Sequence, residues 1–288
     1  MRLTKFLAVA ILILMTGGLR SQDATAPLIP QSQPQTQPQA QTQIQPALSL
    51  AEMEELLRTA KVIKEKWLGT GVTNPRKLTL TNGKIEFHAI FKTIDERKTG
   101  MTSMTSGSEM DFKDSWKFEV AAYELDKMLG LNMVPVTAER IYDGKKGAIQ
   151  WWVENAMTER DRYRDNIKPP NLEEYNRAIF KIRAFDNLVY NFDRNLGNFL
   201  YDPAWKVWMI DHSRCFKIFG ELKAPGDLTR FSRSMMEGLR KLDQKEVKKH
   251  CGKYLTVFEI QAMFKRRDAI LKRYDQLAAE KGESILFP

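Results

Sequence analysis

The sequence has few of the residues that build small disulfide or metal scaffolds. Among 288 residues there are two cysteines, Cys215 and Cys251, and three histidines, His88, His212 and His250. Two cysteines make no disulfide framework, and a chain of this length can bury a sizeable core without one. The histidines and cysteines lack the spacing of a zinc site. The sequence therefore predicts a fold that depends on its hydrophobic core, while pairing of the two cysteines in an oxidising compartment stays open.

A dense block of Lys and Arg is also missing, although the formal net charge is +9. The 45 basic residues are spread along helical patterns together with 36 acidic ones, as is typical of solvated helix faces. Zinc-finger and RNA-recognition signatures are lacking, so we expect no nucleic-acid partner. The excess of positive charge is compatible with a nucleotide, an anionic lipid or an acidic protein as partner.

The N-terminal segment has no hydrophobic run long enough to span a membrane as a helix. Arg2 and Lys5 precede an apolar run over residues 6–15, well short of the ~20 residues that a spanning helix needs. A basic start before a short apolar run is typical of a secretory signal. We therefore predict that residues 1–22 are a signal peptide and that the protein is exported, periplasmic or secreted. An uncleaved membrane anchor is the alternative, and it would be the protein's only contact with a membrane.

Charged residues are absent from residues 24–51, where Gln and Pro alternate. This composition buries little apolar surface, and so many prolines exclude a helix. We therefore predict a disordered Gln/Pro-rich linker over residues 23–48 and a folded body that begins at residue 49.

The first part of the body has the patterns of a strand-rich lobe, which we assign to residues 49–155. A capping-box spacing at Ser49 begins an amphipathic helix that is expected to end at Gly69. An Asn-Gly pair between two β-rich runs predicts a hairpin over residues 77–92. The polar stretch over residues 93–114 is predicted to be a loop.

A second helix and a second hairpin complete this lobe. The helix is predicted to begin near Ser115 and to end at Gly130, and the hairpin covers residues 139–153. Residues 156–288 read as a helical C-terminal lobe that contains one short hairpin over residues 199–210. The predicted fold class is therefore α+β, a two-lobed arrangement with a ligand cleft between the lobes.

An Asp and an Asn lie five residues apart before the short hairpin, and a second Asp follows it. Asp193 and Asn198 belong to the segment Asp-Arg-Asn-Leu-Gly-Asn, and Asp211 ends the hairpin. Protein kinases place an Asp and an Asn at this spacing in the catalytic loop, and a later Asp binds metal. Carboxylate and amide oxygens are ligands that Mg²⁺ accepts. The order predicts Asp193 as catalytic base and Asn198 and Asp211 as metal ligands.

Phosphoryl transfer also requires a cation on the phosphates and an acid that holds this cation. The run Ala-Ile-Phe-Lys that ends at Lys92 is similar to the Val-Ala-Ile-Lys strand pattern, and Glu119 lies in the helix that follows. Gly69 and Gly71 are candidates for a loop that approaches the phosphates, although two glycines are a weak signal. Taken singly, each residue is more often ordinary surface, and it is their order that carries the prediction.

These motifs resemble those of atypical kinases. The helix over residues 118–130, with the Val-Pro-Val that follows, is similar to the acid helix of the secretory-pathway Golgi casein kinase family. Residues 191–198 and 210–213 resemble that family and the phosphatidylinositol 3- and 4-kinases, with HipA and CotH kinases more distant. The resemblance spans roughly residues 69–216. It implies a kinase-like fold, ATP with Mg²⁺ or Mn²⁺, and the roles assigned to Asp193 and its partners.

Two departures from these families concern the acceptor and the rate. Asn195 stands where His often follows Asp-Arg, and His212-Ser213 replaces Phe-Gly after the metal-binding Asp. We expect an exported kinase that phosphorylates a hydroxyl acceptor, with protein favoured over a lipid or small molecule. A pseudokinase is the main alternative, and the complete set of motif residues argues against it. A two-metal phosphohydrolase lacks the additional ligands that it would need.

Overall fold

The computed structural model describes residues 48–69, 75–104 and 107–288. The predicted signal peptide and nearly all of the predicted linker lie outside these ranges, as does Gly71. No helix within the described ranges is long and apolar enough to cross a membrane. In chain order the elements are α1 (Leu50–Thr59), β1 (Lys61–Trp67), β2 (Arg76–Thr81), β3 (Glu86–Lys92), β4 (Asp95–Met104), β5 (Gly107–Ser115), α2 (Trp116–Leu129), β6 (Thr137–Tyr142), β7 (Lys145–Trp151), β8 (Met157–Thr158), α3 (Glu159–Arg164), α4 (Leu172–Val189), β9 (Phe199–Tyr201), β10 (Val207–Met209), β11 (Phe231–Ser232), α5 (Arg233–Lys241), α6 (Gln244–Cys251), α7 (Val257–Lys281) and β12 (Leu286–Phe287).

A five-stranded antiparallel sheet forms the N-terminal part, in the order β1-β2-β3-β7-β6. Alternate side chains of β2 and β3, among them Leu78, Leu80 and Phe91, point into a core that α1 and α2 cover. The central strand β3 ends at Lys92, so the sheet delivers this side chain to the edge that faces the C-terminal part. The predicted α+β class is therefore confirmed, whereas the lobe boundaries remain a prediction.

The helix predicted to end at Gly69 is wrong beyond Thr59. Residues Lys61–Trp67 form β1, which pairs antiparallel with β2. Ile63 and Trp67, which extended the helical stripe in the sequence, are 45% and 57% exposed. The buried face of α1 ends with Leu57 and Ala60. The backbone of the following residues then forms hydrogen bonds with β2, which is more favourable here than another helical turn.

The loop predicted over residues 93–114 is also wrong, because this stretch forms the hairpin of β4 and β5. Its pattern is polar because ion pairs rather than apolar contacts attach it to the C-terminal part. Glu109 binds Lys217 at 2.5 Å, and Lys113 binds Glu259 at 2.7 Å. Glu109, Lys217 and Glu259 are buried, so each charge requires its partner.

The second helix, α2, forms as predicted, and specific residues cap both of its ends. Ser115 caps it by accepting a hydrogen bond from the backbone of Lys117, and Gly130 ends it with a φ of 65°. The C-terminal part packs α4 against α7. There the buried Arg266 of α7 donates to the carbonyls of Leu188 and Lys217, which ties α4 to the segment after the short hairpin.

Gly147 of β7 lies against the strand that carries Lys92. A methyl group here would be 2.3 Å from the carbonyl oxygen of Lys92 and 2.9 Å from the ring of Phe91. We expect Gly147→Ala to lower the free energy of unfolding by about 1–3 kcal/mol, as overpacking does. Urea unfolding measures this. The control is Gly226→Ala, because no atom of the described residues lies within 4 Å of the added carbon there. Equal midpoints for both variants would contradict the close approach.

Candidate active site

Lys92 and Glu119 form a buried ion pair. The Lys92 Nζ is 2.5 Å from Glu119 Oε1, and the two residues are 6% and 1% exposed. Burial alone would lower the pKa of Lys92 and raise that of Glu119. The opposite charge outweighs burial in both cases, so the pKa of Lys92 is raised and that of Glu119 is held well below its usual range. Both groups are therefore charged.

Asp211 is the second carboxylate on Lys92. Its Oδ1 lies 2.9 Å from the Lys92 Nζ, although the two residues are 119 positions apart. Asp211 follows β10 and has a φ of 61°, a left-handed conformation that Asp tolerates better than most residues. This turn places the carboxylate at the side of the cleft that faces β3.

The loop after α4 positions Asp193 through the amides around it. The backbone N–H of Asp193 donates to Asn191 Oδ1 at 3.0 Å, and its carbonyl accepts from Asn198 Nδ2 at 2.9 Å. Asp193 is half-buried, and its carboxylate accepts no hydrogen bond from the described residues. A half-buried carboxylate without a partner is available to an acceptor hydroxyl.

Arg194 connects this loop to the strand that delivers Asp211. Its guanidinium binds the Asp186 carboxylate, with a shortest distance of 2.9 Å, and donates to the carbonyls of Asn198 and Ile210 at 2.9 and 2.7 Å. Burial would lower the pKa of Arg194, and Asp186 raises it. The sequence motif assigns no role to Arg194 and does not include Asp186, because Asp186 lies on α4, outside the motif.

His212 is a further residue that the sequence patterns did not assign. It is fully buried, its backbone N–H donates to Glu119 Oε2 at 3.1 Å, and its ring contacts Arg194. Burial lowers the pKa of His212, the Arg194 charge adds to this effect, and together they outweigh the Glu119 carboxylate, which would raise it. The ring is therefore neutral near pH 7. The sequence shows His212 where the kinase motif has Phe, but it does not show which residues contact His212.

A cleft of about 730 Å³ lies between the sheet and the C-terminal part. Lys92, Asn198 and Asp211 line it together with Trp152, whose ring lies 4.0 Å from the Lys77 Nζ. Glu119 is behind Lys92, and neither Asp193 nor Gly69 is among the lining residues. A second cavity of about 660 Å³ is lined by Tyr123, Trp208 and other residues, and none of the predicted site residues belongs to it.

Gly69 is not among the residues that line the cleft, and its predicted phosphate-binding role stays a prediction. It has a φ of 63° and is exposed, and no atom of the described residues lies within 4 Å of where a methyl group would be. Since residues 70–74 are outside the described ranges, a phosphate-binding role for Gly71 stays a prediction.

The residues present fit a Mg²⁺ or Mn²⁺ ion shared with a nucleotide. The part of the chain that the structure describes has no group of three or more His, Cys, Asp or Glu side chains arranged for a metal. Mg²⁺ commonly uses one or two carboxylates and completes its shell with substrate phosphates and water, so Asn198 and Asp211 suffice. Asp114 supports this fit: it is 6% exposed, and its Oδ1 has no hydrogen-bond partner among the described residues. Burial raises the pKa of Asp114 and the charge of Asp211 raises it further, which outweighs the lowering by a hydrogen bond from Ser213. A nearby cation would relieve this repulsion.

The β-rich part with its Lys–Glu pair, the helical part and the cleft between them define a protein-kinase-like fold. No family model matches the sequence, and the curated proteins give no match. Solved structures, in contrast, match the fold of this chain. A Fam20 from hydra, solved with sugar, superimposes with a TM-score of 0.65 at 16% identity, over 83% of this chain and 92% of that chain. The Golgi casein kinase with Mn/ADP bound gives 0.59 at 13% identity, over 81% of this chain and 77% of that chain.

The chain thus has a Fam20-like atypical kinase fold, and the predicted resemblance in fold is confirmed. At these identities the likeness shows the fold alone. Lys92, Glu119 and Asp211 meet as the motif order predicts, while the chemical roles of all predicted site residues stay predictions.

Removing the Lys92 ammonium leaves two carboxylates facing each other without a cation. We expect Lys92→Met to lower the free energy of unfolding by about 3–5 kcal/mol, the usual result of breaking a buried ion pair. Adding Glu119→Gln removes one of the two negative charges and should restore part of the loss. Urea unfolding of the single and double variants measures both effects.

The control is an exposed lysine with a distant partner. Lys241 lies 4.0 Å from Glu237 and is 81% exposed, so Lys241→Met should change stability by less than about 0.5 kcal/mol. If Lys92→Met behaved like this control, the Lys92 ion pairs would not be important for the folded state.

Proposed function

We propose that this protein is an exported ATP-dependent kinase that uses Mg²⁺ or Mn²⁺ to transfer a phosphoryl group to a hydroxyl, with a protein hydroxyl as the favoured acceptor. One observation carries the proposal. The Lys92 Nζ lies within 2.9 Å of both Glu119 and Asp211, at the wall of the cleft that Asn198 also lines. This is the arrangement that phosphoryl transfer requires.

Each residue has a role that its surroundings support. Lys92, held by Glu119, is a fixed positive charge for the nucleotide phosphates. Asn198 and Asp211 would hold the metal, which supplies charge neutralisation on the phosphates when bound. Asp193, with its carboxylate free of hydrogen bonds from the described residues, would accept the proton of the acceptor hydroxyl.

The nucleotide and metal are supported by one structural neighbour and by the cleft itself. The Golgi casein kinase neighbour was solved with Mn/ADP bound. A volume of about 730 Å³ is within the usual range of small-molecule sites. Trp152, with Lys77 over its ring, offers a flat apolar surface in this cleft on which a nucleobase could stack.

Export and a protein acceptor rest on different grounds. The basic and apolar N-terminal segment supports export. The name of the Golgi casein kinase neighbours supports a protein acceptor in this chain as well. An acceptor on a lipid or small molecule, and a nucleotide-binding pseudokinase, are the competing outcomes of the experiments below.

Asp211→Asn removes the charge while retaining a residue that tolerates a positive φ. The wild-type protein should be stabilised by about 2.7 kcal/mol when Mn·ATP is a hundredfold above its dissociation constant. We expect the variant to lose most of this stabilisation, because Asp211 is the charged one of the two proposed metal ligands and the substitution removes that charge. Thermal unfolding with and without Mn·ATP measures it. The exposed Asp227→Asn is the control, and an unchanged response of Asp211→Asn would rule out its role.

Asp193→Ala separates catalysis from binding. We expect transfer of labelled phosphate to fall by about 10²–10⁴-fold, the usual contribution of a general base, while Mn·ATP still stabilises the protein. Radiolabelled ATP is incubated with the protein and an extract of its own compartment, followed by separation of proteins, lipids and small molecules. The labelled fraction identifies the acceptor class. A wild-type protein that binds Mn·ATP but labels nothing would be a pseudokinase.

A further inference from the structure

His212 joins the two halves of the candidate site. Its ring is fully buried, with Nε2 at 2.9 Å from Arg194 Nη2 and Nδ1 at 3.8 Å from Glu119 Oε2. Its backbone N–H donates to the same Glu119 oxygen at 3.1 Å. Phe185 of α4 packs against the ring at right angles, with 5.9 Å between the ring centroids. The imidazole therefore has a single orientation, between a cation and an anion.

The contact with Arg194 determines which ring nitrogen carries the proton. A guanidinium has only donors, so Nε2 of His212 must be the acceptor and cannot be protonated. The proton is then on Nδ1, which has no hydrogen-bond partner among the described residues and faces the Glu119 carboxylate. A neutral ring in this tautomer presents its lone pair to the cation and its N–H to the anion.

The same contacts hold the backbone on both sides of Asp211. Arg194 Nη1 donates to the carbonyl of Ile210 at 2.7 Å, and Glu119 accepts from the backbone N–H of His212. Between them Asp211 has a φ of 61°, and the two hydrogen bonds hold the backbone on either side of it. Arg194 is in turn fixed by Asp186. His212 thus contacts both Arg194 and Glu119 at this turn.

We propose that His212 is a positioning residue: its Nε2 holds Arg194 and its backbone holds Glu119, which keeps Asp211 on Lys92 and in place for the metal. For its effect on phosphoryl transfer, this inference rests on the proposed function. For the tautomer and for the position of Asp211, it is independent of turnover. The lone pair on Nε2, rather than the bulk of the ring, is the important feature.

The first test observes the tautomer directly in the full-length protein. Two-bond ¹H–¹⁵N correlation spectra of the imidazoles at pH 7 should give His212 an unprotonated, pyridine-type Nε2 and a protonated, pyrrole-type Nδ1. The chain has three histidines, so loss of one set of signals in His212→Gln assigns them. A protonated Nε2 would overturn the proposal, whether or not the protein is an active kinase.

The second test uses two variants that retain different halves of the ring. Gln at position 212 can place an oxygen near the position of Nε2, whereas Asn reaches only the position of Nδ1. We expect His212→Gln to bind Mn·ADP within about threefold of wild type. His212→Asn should bind about 10–100-fold more weakly, since it leaves a buried guanidinium N–H without a partner. Isothermal titration measures both, and His250→Gln, at an exposed position outside the cleft, is the control.

The kinetic constants complete the comparison. His212→Asn should lower kcat by at least about tenfold more than His212→Gln, with the KM for acceptor unchanged, because the defect is at the metal. Equal losses in both variants would mean that ring packing alone matters and would overturn the proposal. If the wild-type protein binds no nucleotide, the proposed function fails, and the NMR result still decides the inference.

Discussion

The charged Lys92 ammonium, buried between Glu119 and Asp211, is the constraint on which the rest of the structure depends. A lysine at 6% exposure cannot stay charged unless carboxylates surround it, and the two that do come from α2 and from the turn after β10. Satisfying this one charge therefore brings together the central strand of the sheet, the helix behind it and the C-terminal part. The cleft that could hold a nucleotide is a consequence of the same three-way contact.

Around this centre, buried charges are satisfied in a chain rather than in isolated pairs. Glu119 also binds His212, His212 binds Arg194, and Arg194 binds Asp186 on α4. Each member of this chain of contacts has a partner of opposite charge or complementary hydrogen bonding, so displacing one member leaves the next uncompensated. The β4–β5 hairpin follows the same rule through its buried Glu109. Polar contacts thus determine the positions of the side chains at the site, while the hydrophobic core beneath it supplies stability.

Sequence reasoning succeeded where neighbours along the chain carry the information. Capping by Ser115, termination at Gly130 and the hairpin of β2 and β3 are local, and each forms as predicted. It failed at β1 and at β4–β5, because a strand at a sheet edge or in a polar hairpin is decided by its pairing partner. Neither the exposed Ile63 nor the buried Glu109 has a burial that periodicity alone could predict.

By itself the sequence determined the α+β class, the order of the parts and the identity of Lys92, Glu119, Asp193, Asn198 and Asp211 as candidates, since these follow from spacing and residue chemistry. Only the tertiary structure decided which of them meet. Lys92 and Asp211 are 119 residues apart, and their 2.9 Å contact exists because the whole fold closes around it. The contacts among Arg194, Asp186 and His212 were likewise decided only by the tertiary structure. A hydrogen bond within a buried network depends on positions in space, and no local pattern along the chain records them.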